Sequence, residues 1–421
     1  MKKQLREQVN RVRRSQDARA LVENFISLSI LKALAFVLPL VTLPYLSRVI
    51  GVARFGDIAF ASSIIVYFMT ITDYGFNYTA TRDLSKNRTN LEYVRHLFWN
   101  VLYTKMVLLT ISVVIFAVLV EAIPFLREYR LLLWLTFLTV PSYMLFPEWF
   151  FQGIEKMRYI TIVNVISKVV FTALIFLLIR QESDYVLHPA LNAFGFLVAG
   201  VVSQVIILRK YKVYPVRFSW RDVKQTLRSG WDVFLSLIAP NLYTNMSTVF
   251  LQTFHGSTGA GLFSSGRTFV DISDQFAMVL SRVFFPFLSR RPDKHKVYKN
   301  ISFMINVAMA ITLFLSADLL INIFYTEEFR ASANVLRIMA ICPLFLYLMN
   351  AYGTNYLVVV GEDKLYRKIV MWCSILGLPV AYFFAKEFGY IGAAWTFTTI
   401  WGVRGFITWL FAKRITKQRA Q

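Results

Sequence analysis

Between Val37 and Lys86 the chain reads VLPLVTLPYLSRVIGVARFGDIAFASSIIVYFMTITDYGFNYTATRDLSK. Two apolar stretches flank a short turn between Gly51 and Gly56, and each approaches the length of a membrane-crossing helix, roughly 20 residues. Both contain groups that a simple lipid anchor avoids: Pro39 and Pro44 in the first, then Asp73, Gly75 and Asn77 in the second. Hydrocarbon offers such groups no hydrogen-bond partner, so they have to face protein or a water-filled cavity. The segment therefore predicts a membrane protein that handles something polar inside the bilayer.

The rest of the chain agrees. Of its 421 residues 57% are hydrophobic and 38 are Phe, more apolar surface than a soluble fold can hide. Apolar runs recur from end to end and predict an all-α, polytopic membrane protein of about twelve transmembrane helices. The expected spans are Asn24–Ile50, Phe55–Thr79, Leu97–Val120, Leu131–Phe151, Ile160–Ile179, Ala190–Leu208, Trp231–Phe254, Thr258–Leu288, Ile301–Tyr325, Val335–Val360, Ile369–Ala385 and Ile391–Ala412. They divide into two six-helix lobes around a central cavity: residues 24–208 and 231–412, with a basic arm at 1–23, a basic linker at 209–230 and a tail at 413–421.

Charge gives the orientation. The 46 Lys and Arg against 24 Asp and Glu leave a formal net charge of +22, but the excess is not the patch of a nucleic-acid binder. It alternates from loop to loop. Lys2, Lys3, Arg6, Arg11, Arg13, Arg14 and Arg19 precede the first span; Arg82, Lys86, Arg88 and Arg95 follow the second; Arg209, Lys210, Lys212, Arg217, Arg221, Lys224 and Arg228 fill the central linker. The intervening loops are poor in base or balanced by acid, as at Arg127 beside Glu128. Cytoplasmic loops are the basic ones, so both termini are expected in the cytoplasm.

Other classes close quickly. The N-terminal arm has no small-residue cleavage site before an apolar core. Cys342 and Cys373 lie in apolar spans, and His96, His188, His255 and His295 lack metal-ligand spacing. No phosphate-binding G-x-x-x-x-G-K-[ST] occurs, and no loop is long enough for a catalytic domain. Neither enzyme nor cofactor is expected.

Two segment pairs suggest internal duplication. FGDIAFASS (Phe55–Ser63) parallels TGAGLFSSG (Thr258–Gly266), matching Gly56 to Gly259 and Phe60 to Phe263, and FFQGIEKMRYI (Phe150–Ile160) parallels VVVGEDKLYRKI (Val358–Ile369). Duplicated halves with a site between them near the midplane are a transporter architecture.

LPLVTLPYLSRVIG followed by FG, and then TDYGFNYTATRDLSK, resembles the Wzx-type O-antigen flippases, the polysaccharide biosynthesis or exporter proteins of the multidrug/oligosaccharidyl-lipid/polysaccharide exporter superfamily. Ala53-Arg54 and Asp57 depart from the pattern of this turn and read as variation at an exposed position. The resemblance implies transport of an undecaprenyl-diphosphate-linked oligosaccharide from the cytoplasmic to the periplasmic leaflet of a bacterial inner membrane, by alternating access. It also implies contact with membrane lipids and with the polysaccharide polymerase and chain-length regulator, and no nucleic-acid partner. The rivals are a multidrug exporter of the same superfamily and a membrane glycan polymerase.

A diphosphate favours Arg, with its planar fork, and Lys as a point charge. Lys32, Lys168, Arg267 and Arg404 are the candidate substrate contacts, with Lys105 a further cation about two turns inside its span. Asp271 stands one helical turn from Arg267, so the two can also simply neutralise each other. Asp73, Glu148, Asp271 and Asp274 are candidates for coupling or gating, although Asp73 can equally be a structural acceptor for a neighbouring Asn or Tyr.

Overall fold

The computed structural model describes residues 40–290 and 295–420. Lys32, Pro39 and the basic arm lie outside the described residues. Among those described there is no strand. The helices are α1 (40–73), α2 (Phe76–Asn87), α3 (Leu91–Ala122), α4 (Pro124–Glu128), α5 (Arg130–Phe137), α6 (Thr139–Met144), α7 (Glu148–Gly153), α8 (Met157–Leu178) and α9 (Leu187–Arg209). The second half has α10 (Trp220–Thr244), α11 (Met246–Arg290), α12 (His295–Leu315), α13 (Ala317–Phe324), α14 (Ser332–Met339), α15 (Cys342–Leu348), a π-helical segment Met349–Leu357 and α16 (Asp363–Ala420).

Eight of the described helical stretches are long and apolar enough to cross a membrane. Their outward faces carry large apolar side chains, among them Val118, Leu177, Leu315 and Leu376, all exposed. In water such a surface would be a liability; facing lipid it is the solvated one. The fold is that of a multi-pass membrane protein. The expected spans Trp231–Phe254 and Thr258–Leu288 are helical but too polar to count among the eight. Helix α10 also begins earlier than expected, at Trp220, so half of the supposed linker is helical. The remaining connection is tied to α3: Arg95 Nε donates to the Lys212 carbonyl at 3.0 Å and Trp99 Nε1 to the Val213 carbonyl at 3.1 Å.

The chain forms two compact units. One contains Phe68–Ile179 and Val186–Phe234, with the described residues before Leu43; the other contains Leu43–Tyr67, Arg180–Tyr185 and the chain from Leu235 onward. The core of the first is aromatic, built on Phe98, Trp149, Phe150 and Phe151, all buried.

Long helical runs are interrupted at glycines with left-handed φ: Gly51 (69°), Gly256 (67°) and Gly389 (55°). Only glycine takes this conformation without strain from a Cβ, so α1, α11 and α16 each turn there without a loop. Two further glycines in the second unit permit close backbone approach. A Cβ on Gly56 would lie 1.8 Å from the Ser257 carbonyl oxygen, and one on Gly261 would lie 2.2 Å from that of Val52.

These positions revise the register of the similar segments. In structure Gly51 corresponds to Gly256 as the turn and Gly56 to Gly261 as the close approach, so Gly56 does not match Gly259. The second pair shifts as well. Helices α7 and the π-helical segment each end through a left-handed residue, Glu155 (φ 59°) and Gly361 (φ 89°). Each is followed by a residue whose N–H closes the helix end, Lys156 to the Phe151 carbonyl at 2.9 Å and Glu362 to the Leu357 carbonyl at 2.8 Å. Glu155, not Gly153, is therefore the counterpart of Gly361. The revised spacings of the two pairs agree within one residue, whereas the sequence matches differed by several.

Candidate functional site

In the first unit the break at Tyr74 (φ 50°) and Gly75 (φ 78°) separates α1 from α2. Asp73 is left at the end of one helix and Asn77 in the first turn of the next. Lys105, from the middle of α3, reaches Asp73 Oδ1 at 2.8 Å, and Asn77 Nδ2 donates to Asp73 Oδ2 at 3.2 Å. The pair is buried, with Lys105 4% and Asp73 16% exposed at the side chain. The ring of Phe76 stands 5.8 Å from Lys105 Nζ. Gly230 on α10 lets the Tyr74 ring pack closely against its backbone, and Tyr74 stacks on Phe234 at 4.6 Å. Glu148 opens α7 after Pro147 and accepts from Asn164 Nδ2 at 3.2 Å. Tyr143 lies within electrostatic reach of both Glu148 and Asp73.

Lys168 lies elsewhere in the same unit, half-buried on α8. Its ammonium stands 5.3 Å from the Phe196 ring and 5.8 Å from Phe171, near enough for cation–π attraction. Phe171 in turn meets His188 edge-on at 5.4 Å. Among the described residues no carboxylate pairs with Lys168. This cation is held by rings.

The second unit gathers the remaining four candidates. Arg267 on α11 pairs with Asp271 at 3.1 Å, donates from Nη1 to the Thr244 carbonyl at 3.2 Å, and stacks over Phe397 at 4.4 Å. Arg404, seven residues beyond Phe397 on α16, donates to the Tyr366 hydroxyl at 3.3 Å, while its Nε is buried without a hydrogen-bond partner. Asp271, Arg267 and Arg404 are all close enough to Asp274 to act on its charge. Two cations and two carboxylates therefore share one cluster, and Asp274 makes no hydrogen bond within it among the described residues. An incoming anion would compete with Asp271 for Arg267, and Asp271, half exposed at its side chain, keeps access to solvent when displaced.

Asp57 reads differently in structure than in sequence. It is fully buried, pairing with Arg54 at 3.2 Å and accepting from Gln252 Nε2 at 2.9 Å and Ser257 Oγ at 2.5 Å. Arg54 also reaches Glu182 at 3.0 Å and covers the Tyr185 ring at 4.9 Å. The departure at this turn is thus the core of a hydrogen-bonded network and not an exposed variation. Lys105 was legible only as a cation in its span; the signal for its partner was an opposite charge, Asp73, in the adjoining one.

A helical membrane fold with charged clusters at the level of its spans defines a transporter-like protein. The chain belongs to the polysaccharide biosynthesis protein family, whose pattern matches residues 21–292. A protein of Escherichia coli (strain K12) named "Putative O-antigen transporter" is 26% identical over 385 residues, covering 90% of this chain and 93% of its own. A Shigella dysenteriae protein of the same name is 23% identical over 380 residues, covering 89% and 94%. Among solved structures the fold is similar to the lipid II flippase MurJ in an inward closed conformation, with TM-score 0.69 and 14% identity over 93% of this chain and 87% of that one. It is similar also to an inward-facing multidrug resistance MATE transporter of the MOP superfamily, with TM-score 0.65 and 14% identity over 92% and 99%.

Proposed function

We propose that the chain is a flippase that carries undecaprenyl-diphosphate-linked saccharide repeat units, of O antigen or a related surface glycan, from the cytoplasmic to the periplasmic leaflet of a bacterial inner membrane by alternating access. The observation that carries this reading is the set of cations on the helices: Lys168 held by rings, Arg404 by a hydroxyl, and Arg267 shared between Asp271, a carbonyl and a ring. Cations kept inside a membrane at a cost of about 2.5–3.5 kcal/mol each by insertion scales suit an anionic head group. A multidrug exporter taking cationic drugs would need the opposite sign. The names of the relatives point the same way.

In this reading Lys168, Arg267 and Arg404, together with Lys32, contact the diphosphate. Asp271 and Asp274 modulate the arginines, and Asp73 and Glu148 serve in coupling or gating. The residues at 24–208 and 231–412 act as the two moving lobes, and both termini are cytoplasmic. The polymerase and chain-length regulator receive the product. A deletion strain tests the reading. Complete repeat units on undecaprenyl diphosphate are expected to accumulate at the cytoplasmic leaflet, whereas single repeats accumulating on the periplasmic side would mean polymerase activity. Lys32→Ala, Lys168→Ala and Arg267→Ala should each lower glycan export several-fold at unchanged protein level. Normal export from all three would remove the diphosphate contacts.

A further inference from the structure

A polar cleft of about 420 Å³ opens in the first unit, between the C-terminal half of α2, the first turns of α3 and the start of α10. The residues that matter in its wall are Asp83, Tyr93, His96, Asn100, Asp222 and Gln225. Two of them are already engaged: Arg82 Nε donates to Asp83 at 2.9 Å, and Asn100 Nδ2 donates to Thr226 Oγ1 at 2.8 Å. The side chains of His96, Asp222 and Gln225 make no hydrogen bond among the described residues. They present a carboxylate acceptor, an amide that both donates and accepts, and an imidazole. The Tyr93 ring lies beside them.

The sign of the charge narrows the ligand. No Lys or Arg lines the cleft, and both charged side chains that do are carboxylates. With Asp83 paired to Arg82, the wall offers a diphosphate no cationic donor of its own. Asp83, His96 and Asp222 do not converge either, since no group of three such ligands among the described residues could hold a metal ion. Planar hydrogen-bonding groups around an aromatic ring instead match adjacent hydroxyls and the C–H face of a pyranose. The volume lies in the lower part of the range of small-molecule sites, roughly 300–1,000 Å³.

We infer that this cleft is a saccharide subsite, for a neutral or amino-bearing sugar of the transported glycan, separate from the intramembrane cations. The inference rests on the lipid-linked saccharide reading and divides its labour. The helix ends hold sugar by hydrogen bonds, and the interior arginines and lysine hold phosphate by charge. On the basic-loop topology, with Lys86, Arg88, Arg221 and Lys224 close by in sequence, the cleft lies at the cytoplasmic end, where the cargo is presented.

Saturation-transfer difference NMR on the purified full-length protein in nanodiscs tests it, with glucose, galactose, rhamnose, N-acetylglucosamine and glucosamine as probes and inorganic pyrophosphate as competitor. At least one sugar should give a signal that falls five-fold or more in Asp222→Asn/Gln225→Ala and persists in Arg267→Ala. Equimolar pyrophosphate should leave it unchanged. Should the double variant fail to yield a monodisperse protein, His96→Ala alone carries the same expectation. No sugar signal from the unaltered protein, a signal that survives in the cleft variants, or displacement by pyrophosphate would each overturn the subsite. Glycan export in cells reads the transport proposal separately, because a deletion strain with normal export would sink that proposal whatever the cleft binds.

Discussion

The Asp73–Lys105 pair gives the sharpest test of the energetics. At 2.8 Å two unit charges attract by about 6 kcal/mol at an effective dielectric of roughly 20, offset by the cost of taking both out of water. Removing one partner exposes that cost without the attraction, which for buried pairs amounts to about 3–5 kcal/mol. Lys105→Met leaves Asp73 with a donor in the Asn77 amide, and Asp73→Asn leaves Lys105 buried beside the Phe76 ring. Each single variant should therefore lose about 3–5 kcal/mol. At about 2–4 °C per kcal/mol, this is on the order of 10 °C in apparent unfolding temperature. The double variant Asp73→Asn/Lys105→Met should lose less than either single, since two neutral groups of similar size fill the same space. Unfolding in detergent is read by fluorescence-detected size-exclusion chromatography at a fixed heating time, because such unfolding is a rate and not an equilibrium. Losses that add in the double variant would show that the two groups are not coupled, and the assignment of Asp73 as a paired acceptor would fall.

Gly256→Ala should cost about 1–3 kcal/mol through backbone strain alone, since φ 67° and ψ −171° suit only glycine and nothing lies within 4 Å of the added Cβ; a neutral effect on unfolding temperature would refute the strain argument. Gly56→Ala should instead abolish recovery of folded protein, because its Cβ meets backbone at 1.8 Å. Arg404→Lys keeps the charge but loses the fork that reaches Tyr366, so export should fall several-fold yet stay above that of Arg404→Ala; equal activity of the two variants would assign Arg404 a geometric role only.

The membrane class and the polar, broken character of the stretch around Asp73 were legible because composition and broken spans depend only on local sequence. Partners were not. Asp73 sits at the end of α1 and Lys105 in α3, with α2 between, and whether they meet depends on the rotation of each helix about its axis and on the break at Tyr74–Gly75. Asp57 read as exposed because it follows a turn; its burial comes from Gln252 and Ser257, some two hundred residues away. Arg267 and Asp271 were readable as a one-turn pair on a single helix, whereas the approach of Arg404 to Asp274 needed the packing of α16 on α11. The duplicated segments were found but set in the wrong register, since matching identical glycines ignores which of them bends the chain.

In the corrected register the glycine crossing is self-complementary. Gly56 rests on Ser257, and Gly261, the equivalent of Gly56, rests on Val52, the equivalent of Ser257. Contacts in which a residue and its counterpart exchange places are the mark of an isologous two-fold interface between identical subunits. Here one polypeptide contains both sides. A single half-length chain carrying this hairpin could have made the same crossing with a copy of itself, and fusion would then have freed the two sides to differ. Asp57 from one half held by Gln252 and Ser257 from the other, with Leu262, Ser47 and Val52 at the equivalent positions, is what such freedom permits.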